Sequence, residues 1–177
     1  WIVGGFQLAY TLFQPLCGWL IDVIGLKIGF MICASLWGIA CLLHAGAGSW
    51  IQLALLRFFM GGAEASATPA NAKIIGEWFP KSERPVAAGW AGVGFSIGAM
   101  LAPPIIYFAH ASFGWQGAFM FTGALAILWV FLWWACYNTP EEHPNLSKNE
   151  LNFIRQDNEA PPVKMPFLTA LKTVSKN

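Results

Sequence analysis

The stretch RFFMGGAEASATPAN, from Arg57 to Asn71, places two charged residues, Arg57 and Glu64, inside a segment that is otherwise uncharged and apolar. At about 100° per residue, seven positions fall roughly 20° short of two full turns. Helix geometry therefore aligns Arg57, Gly61, Glu64, Thr68 and Asn71 in one stripe, with Glu64 about 10 Å along the axis from Arg57. The stripe is polar and lined with small residues. Pro69 adds to it, because a proline inside a helix leaves the carbonyl of Ala65 without its usual donor and bends the rod beside the acid. A charge near the centre of a bilayer costs about 2.5 to 3.5 kcal/mol on the insertion scale, so such a stripe faces protein or a water-filled cavity. From the residues alone two readings stay open. Glu64 is a functional acid with Arg57 as its companion, or the two pair with each other or with neighbours on adjacent helices and hold a bundle together, and the two readings can coexist.

Of the 177 residues, 56% are hydrophobic and only 11% are charged, against about 25% charged in soluble domains. With a mean hydropathy of +0.53, the chain reads as an all-α membrane protein whose first partner is the lipid bilayer. A net charge of +1 and the lack of a basic run exclude nucleic acid as a partner. Cys17, Cys33, Cys41 and Cys136 are scattered through apolar segments without metal-ligand spacing. They read as small buried hydrophobes, and no metal or cofactor is expected. A membrane enzyme would need a convergent nucleophile and base, and the spans contain none, so no catalytic residue is assigned. The chain opens at Trp1 with neither an initiator Met nor a charged leader, so no signal peptide is visible and the N-terminus reads as that of a fragment.

Five apolar stretches are long enough to cross a hydrocarbon core, at about 1–20, 28–47, 51–76, 85–109 and 115–137. Lys27 lies between the first two. Lys73, Lys81 and Arg84 lie around the end of the third, and Lys148, Arg155, Lys164, Lys172 and Lys176 follow the fifth. The connections 44–50 and 110–114 carry no Lys or Arg. Nine of the ten basic residues thus fall on one side, which the positive-inside rule makes cytoplasmic, and the tenth is Arg57.

The first span carries Gln7, Tyr10 and Gln14 as a polar stripe followed by Pro15, which should face a bundle interior. The second is uniform apart from Ser35 and His44 and offers no site. The fourth holds Gly89, Gly92, Gly94 and Gly98, and the Gly94–Gly98 spacing suits close helix contact. Pro103 and Pro104 should break or kink it. Residues 138–177 read as the start of a cytoplasmic loop. Ser147 and Glu150 make a capping box for a short amphipathic helix containing Leu151 and Ile154, and 160–177 reads as a linker.

The segment GWLIDVIGLK, Gly18 to Lys27, resembles the signature loop of the major facilitator superfamily, with Gly18, Leu20, Asp22, Gly25 and Lys27 in the motif positions. Val23 and Leu26 stand where that motif has basic residues. The stripe Arg57, Phe58, Gly61, Glu64, Ala65, the segment from Glu77 to Arg84, and PEEHP (Pro140 to Pro144) resemble the anion:cation symporter branch, hexuronate transporters above all. The resemblance implies a twelve-helix carrier in a bacterial inner membrane, of which this chain would supply helices two to six. It implies proton-coupled symport of a small organic anion such as a hexuronate or related sugar acid, with protons as the coupling ion. Glu64 and Arg57 would couple the proton, Tyr10, Gln14 and Asn71 would bind substrate, and Gly18, Asp22, Gly25 and Lys27 would form a cytoplasmic gating motif. Gly92, Val93 and Phe95 stand where related carriers place polar residues, and Gln116 where many have Arg. Alternatives are symport of another organic anion, or a non-transport membrane protein with a structural Arg57–Glu64 pair.

Overall fold

A computed structural model describes residues 2–157 together with Pro166, Phe167 and Thr169. Most of the expected linker at 160–177 lies outside the described residues. The described chain is helical, with α1 Ile2–Ile24, α2 Leu26–His44, α3 Trp50–Glu64, α4 Ala67–Trp78, α5 Arg84–Cys136 and α6 Lys148–Ile154.

A single residue separates α1 from α2. Gly25 has φ 93°, a left-handed conformation that side chains disfavour. Its amide donates to the Ile21 carbonyl at 3.0 Å and its carbonyl accepts from Gly29 at 2.9 Å, so it closes one helix and opens the next. No atom lies within 4 Å of where its Cβ would stand, so the backbone conformation, and not space, asks for glycine here.

The expected third span, 51–76, is two helices. Ser49 opens α3 by accepting from the Gln52 amide, while Gln52 Oε1 accepts from the Gly48 amide at 2.8 Å. The helix ends at Glu64. Ser66 then donates its amide to Ala63 at 3.3 Å, a tightened turn, and its hydroxyl donates to the same carbonyl at 2.8 Å. Restarting at Ala67 puts Pro69 in a first turn, where a missing N–H costs nothing, and avoids a proline in mid-helix. Phe79, which precedes Pro80, is extended (φ −128°, ψ 137°) and ends α4.

The expected break at 110–114 shrinks to one residue. Helix continues from Arg84 through Pro103 and Pro104 to residue 113, Gly114 (φ 72°, ψ −177°) interrupts it, and a second segment runs to Cys136. That second segment packs on α2. A Cβ on Gly38 would stand 2.9 Å from Ile127 Cδ1, and one on Gly123 would stand 2.7 Å from the Leu42 side chain. At the basic end Phe30 meets Trp129 and Trp133 edge-on, each at 5.3 Å, and Trp133 stacks on Tyr137 at 4.1 Å. On the other side of α2, Cys17, Cys33 and Ala65 form a buried cluster with Tyr10 and Leu20 against it. The first segment of α5, 84–113, is exposed along nearly its whole length. The contact expected at Gly94 and Gly98 is absent among the described residues, since a Cβ on either would have no atom of another helix within 4 Å.

Candidate functional site

Helices α1 and α3–α4 run side by side in the same direction. Gly61 makes this approach possible: it is buried, and a Cβ there would lie 2.5 Å from the Phe6 carbonyl oxygen. One turn further along α1, the hydroxyls of Tyr10 and Thr68 are 2.9 Å apart. Gly18 rests on Pro69, with its Cβ position 3.5 Å from Pro69 Cβ. Glu64 stands at the end of α3 between these anchors, half-buried, and Arg57 is half-buried seven residues before it.

The expected single stripe is thereby redistributed. Gly61 is closed under α1, Thr68 is exposed and held by Tyr10, and Asn71 has moved onto the separate helix α4, half-buried. Tyr10 and Gln14 lie one turn apart on α1, both half-buried. Among the described residues neither Arg57 nor Glu64 forms a hydrogen bond or an ion pair. A cavity of about 440 Å³ opens between α1, α2 and α3, but Phe13, Leu36, Leu56 and Phe59 line it and it offers nothing to an anion.

The basic end is built differently. Asp22 Oδ1 accepts from Lys73 Nζ at 2.7 Å, and the same ammonium donates to the Ile21 carbonyl at 3.3 Å, which pins α4 across the α1–α2 turn. Lys27 Nζ donates to Asn138 Oδ1 at 3.1 Å, while its carbonyl accepts from Trp133 Nε1 at 3.1 Å. The four residues expected to form a gating motif therefore split into two pairs. Gly18 and Gly25 set close approach and turn, and Asp22 and Lys27 clip helices to one another.

The surroundings of α6 are tied down as well, which sequence reasoning missed. Tyr137 donates to Glu77 Oε2 at 2.7 Å, Arg84 Nη2 donates to the Gly76 carbonyl at 3.0 Å, and Asp157 accepts from the Lys81 amide at 2.6 Å. Arg155 pairs with Glu141, its Nε at 2.9 Å, and its Nη1 reaches the Glu77 carbonyl at 3.4 Å. Trp78 and His143 meet edge-on at 5.4 Å. Partial burial opposes charge on Glu141, yet the Arg155 hydrogen bond holds its carboxyl below the usual carboxylate range. The backbone amide and the hydroxyl of Ser147 do the same for Glu150, which completes the capping box. The Trp78–His143 contact joins PEEHP directly to the segment from Glu77 to Arg84, whereas the other partners, Tyr137, Arg155 and Asp157, lie outside both. Only the fold brings them together.

A Major Facilitator Superfamily profile matches residues 1–177. The hexuronate transporter of Escherichia coli (strain K12) is 42% identical over 160 residues, which covers 90% of this chain and 37% of that protein. The galacturonate transporter of Dickeya chrysanthemi is also 42% identical over 160 residues, 90% of this chain and 46% of its own length. The D-galactonate transporter of Escherichia coli O6:H1 is 31% identical over 166 residues, 91% of this chain and 39% of that protein. The chain thus spans less than half the length of these relatives.

Proposed function

Because this chain belongs to the Major Facilitator Superfamily, we propose that it is part of a proton-coupled symporter that carries a small organic anion, a hexuronate or closely related sugar acid, across a bacterial inner membrane. The names of the relatives support the substrate class, since hexuronate, galacturonate and D-galactonate are all sugar acids. Residues 1–137 would supply five membrane-spanning passes, α3 and α4 together making one, and residues from 138 on would begin the central cytoplasmic loop.

Such a substrate asks for two things, a counter-charge for its carboxylate and donors and acceptors for its hydroxyls. Arg57 provides the first within the span. Tyr10, Gln14 and Asn71 provide the second. Glu64 would take up a proton from the side at which the anion enters and release it on the other, so that an anion and a proton travel together. The single observation that carries this reading is the state of Glu64, a half-buried carboxylate at a helix end with no fixed hydrogen-bond partner among the described residues. A structural Arg57–Glu64 pair would be expected to close into an ion pair. An acid that gains and loses a proton in each cycle cannot be locked permanently in one. The position of Asp22 and Lys27 supports a gating role, since each links helices at the end of the bundle where the chain turns.

The test is uptake of labelled glucuronate or galacturonate by the intact carrier in proteoliposomes. A proton gradient, acid outside, should drive accumulation above the external concentration. Accumulation driven by a sodium gradient and indifferent to the proton gradient would contradict proton coupling. No uptake of any sugar acid would contradict the substrate class.

A further inference from the structure

His44 is the last residue of α2 and is fully buried, at 0% exposure. Its Nδ1 lies 2.6 Å from the carbonyl oxygen of Ala40, so that nitrogen carries the proton and donates, and Nε2 is left with a lone pair. Nε2 has no hydrogen-bond partner among the described residues. The ring cannot easily turn to find one, because it stacks on Phe119 at 4.9 Å with only 16° between the planes. A buried acceptor in this state needs a donor to arrive.

A donor without a partner stands nearby. Arg57 carries five N–H groups, is half-buried, and makes no hydrogen bond among the described residues. Residues 45–49 join α2 to α3 in a tight turn, so α3 starts beside His44 and runs away from it. Helical side chains lean toward the N-terminus of their own helix, which for Arg57 is the His44 end. The long side chain is therefore directed back toward His44.

We propose that His44 Nε2 is an acceptor for the Arg57 guanidinium, which alternates between His44 and Glu64. His44 is then a positioning residue. While Arg57 rests on His44, Glu64 loses the neighbouring cation that favours its charged form and can hold a proton. When Arg57 turns to Glu64 instead, the carboxylate is favoured and the proton leaves. The transport consequence rests on the proposed symport, but the contact does not.

Three measurements on the intact carrier test it. In a thermal-stability cycle, His44→Phe keeps the stack on Phe119 and removes the acceptor, and Arg57→Met keeps a long side chain but removes the donor. Coupled residues predict that the second change adds little once the first is made, and strictly additive shifts would overturn the contact. With selective 15N-histidine labelling, Arg57→Met should move the Nε2 resonance of His44, a readout that does not depend on whether any His44 variant folds. An unmoved resonance would overturn the proposal. In uptake, His44→Phe should lose about tenfold in rate, the value of one charge-assisted hydrogen bond, while His44→Gln, which keeps an acceptor oxygen, should retain most of it. A phenylalanine variant as active as the parent would assign His44 to packing. If the parent carrier takes up no sugar acid, the proposed function fails, and the stability cycle and the resonance still decide the contact.

Discussion

Charges at the two levels of this bundle are treated in opposite ways. At the basic end Asp22, Lys27, Lys73, Glu77, Glu141 and Arg155 each have a named partner. In the middle and toward the opposite end Arg57 and Glu64 make no hydrogen bond among the described residues, and His44 keeps one nitrogen without a partner. A structure selected only for stability would do the reverse, since an unpaired charge is cheap near water and costly in an apolar interior. Clips at one end and free groups in the middle fit a machine that holds a gate and moves a proton. The difference can be broken or sharpened by mutation.

The largest effect is expected at Gly61, which lets α1 lie against α3 and so builds the wall beside Glu64. In Gly61→Val even the Cβ, 2.5 Å from the Phe6 carbonyl oxygen, meets backbone that cannot swing aside. Overpacking typically costs about 1–3 kcal/mol, and this site belongs at or beyond the upper end. The yield of folded, monodisperse carrier should collapse. Normal yield and melting temperature would mean that α1 and α3 are not so close.

A smaller effect is expected at the clip. Asp22→Asn removes the charge facing Lys73, and because the Asp22 side chain is 54% exposed the loss should be on the order of 1 kcal/mol in stability. Gating should suffer more than folding. A cysteine placed near the basic end should become more reactive to a thiol reagent in the variant, and unchanged reactivity would make the Asp22–Lys73 bridge a bystander.

The smallest effect concerns acid. Glu141 and Glu150 both have carboxyl groups held below their ordinary range in the fold. A depressed folded-state value means that the stabilising contribution is complete above the unfolded value, about 4.3, and fades as pH falls through the lower folded one. Hydrogen exchange should therefore show residues 140–157 loosening below about pH 4 while α2 stays protected. Loosening of α2 first would reverse the assignment.

The sequence announced the middle of the molecule better than its end. Arg57 and Glu64 were legible because charge in an apolar run is rare, and the Gly25 turn and the Ser147–Glu150 box because each follows from local chemistry. Pro69 was visible, yet its effect was read as a bend inside one helix, where a tightened turn at Ala65–Ser66 restarts the chain instead. The continuation of α5 through 110–113 could not be read, since no residue before Gly114 forces a stop and His110 and Ser112 tolerate helix. The Asp22–Lys73 and Arg155–Glu141 pairs depend on packing between distant segments, which no local pattern encodes. His44 passed as an ordinary residue at the end of an apolar helix, because burial and the lack of a donor for Nε2 exist only in the fold.

The central claim is that Glu64 is kept free in order to carry a proton. Glu64→Gln preserves size and hydrogen bonding but cannot titrate, and its effect is read by measuring pH-driven accumulation and substrate counterflow side by side on folded protein. The account predicts that accumulation fails while counterflow, which needs no net proton movement, persists. Full pH-driven accumulation by the glutamine variant would contradict it.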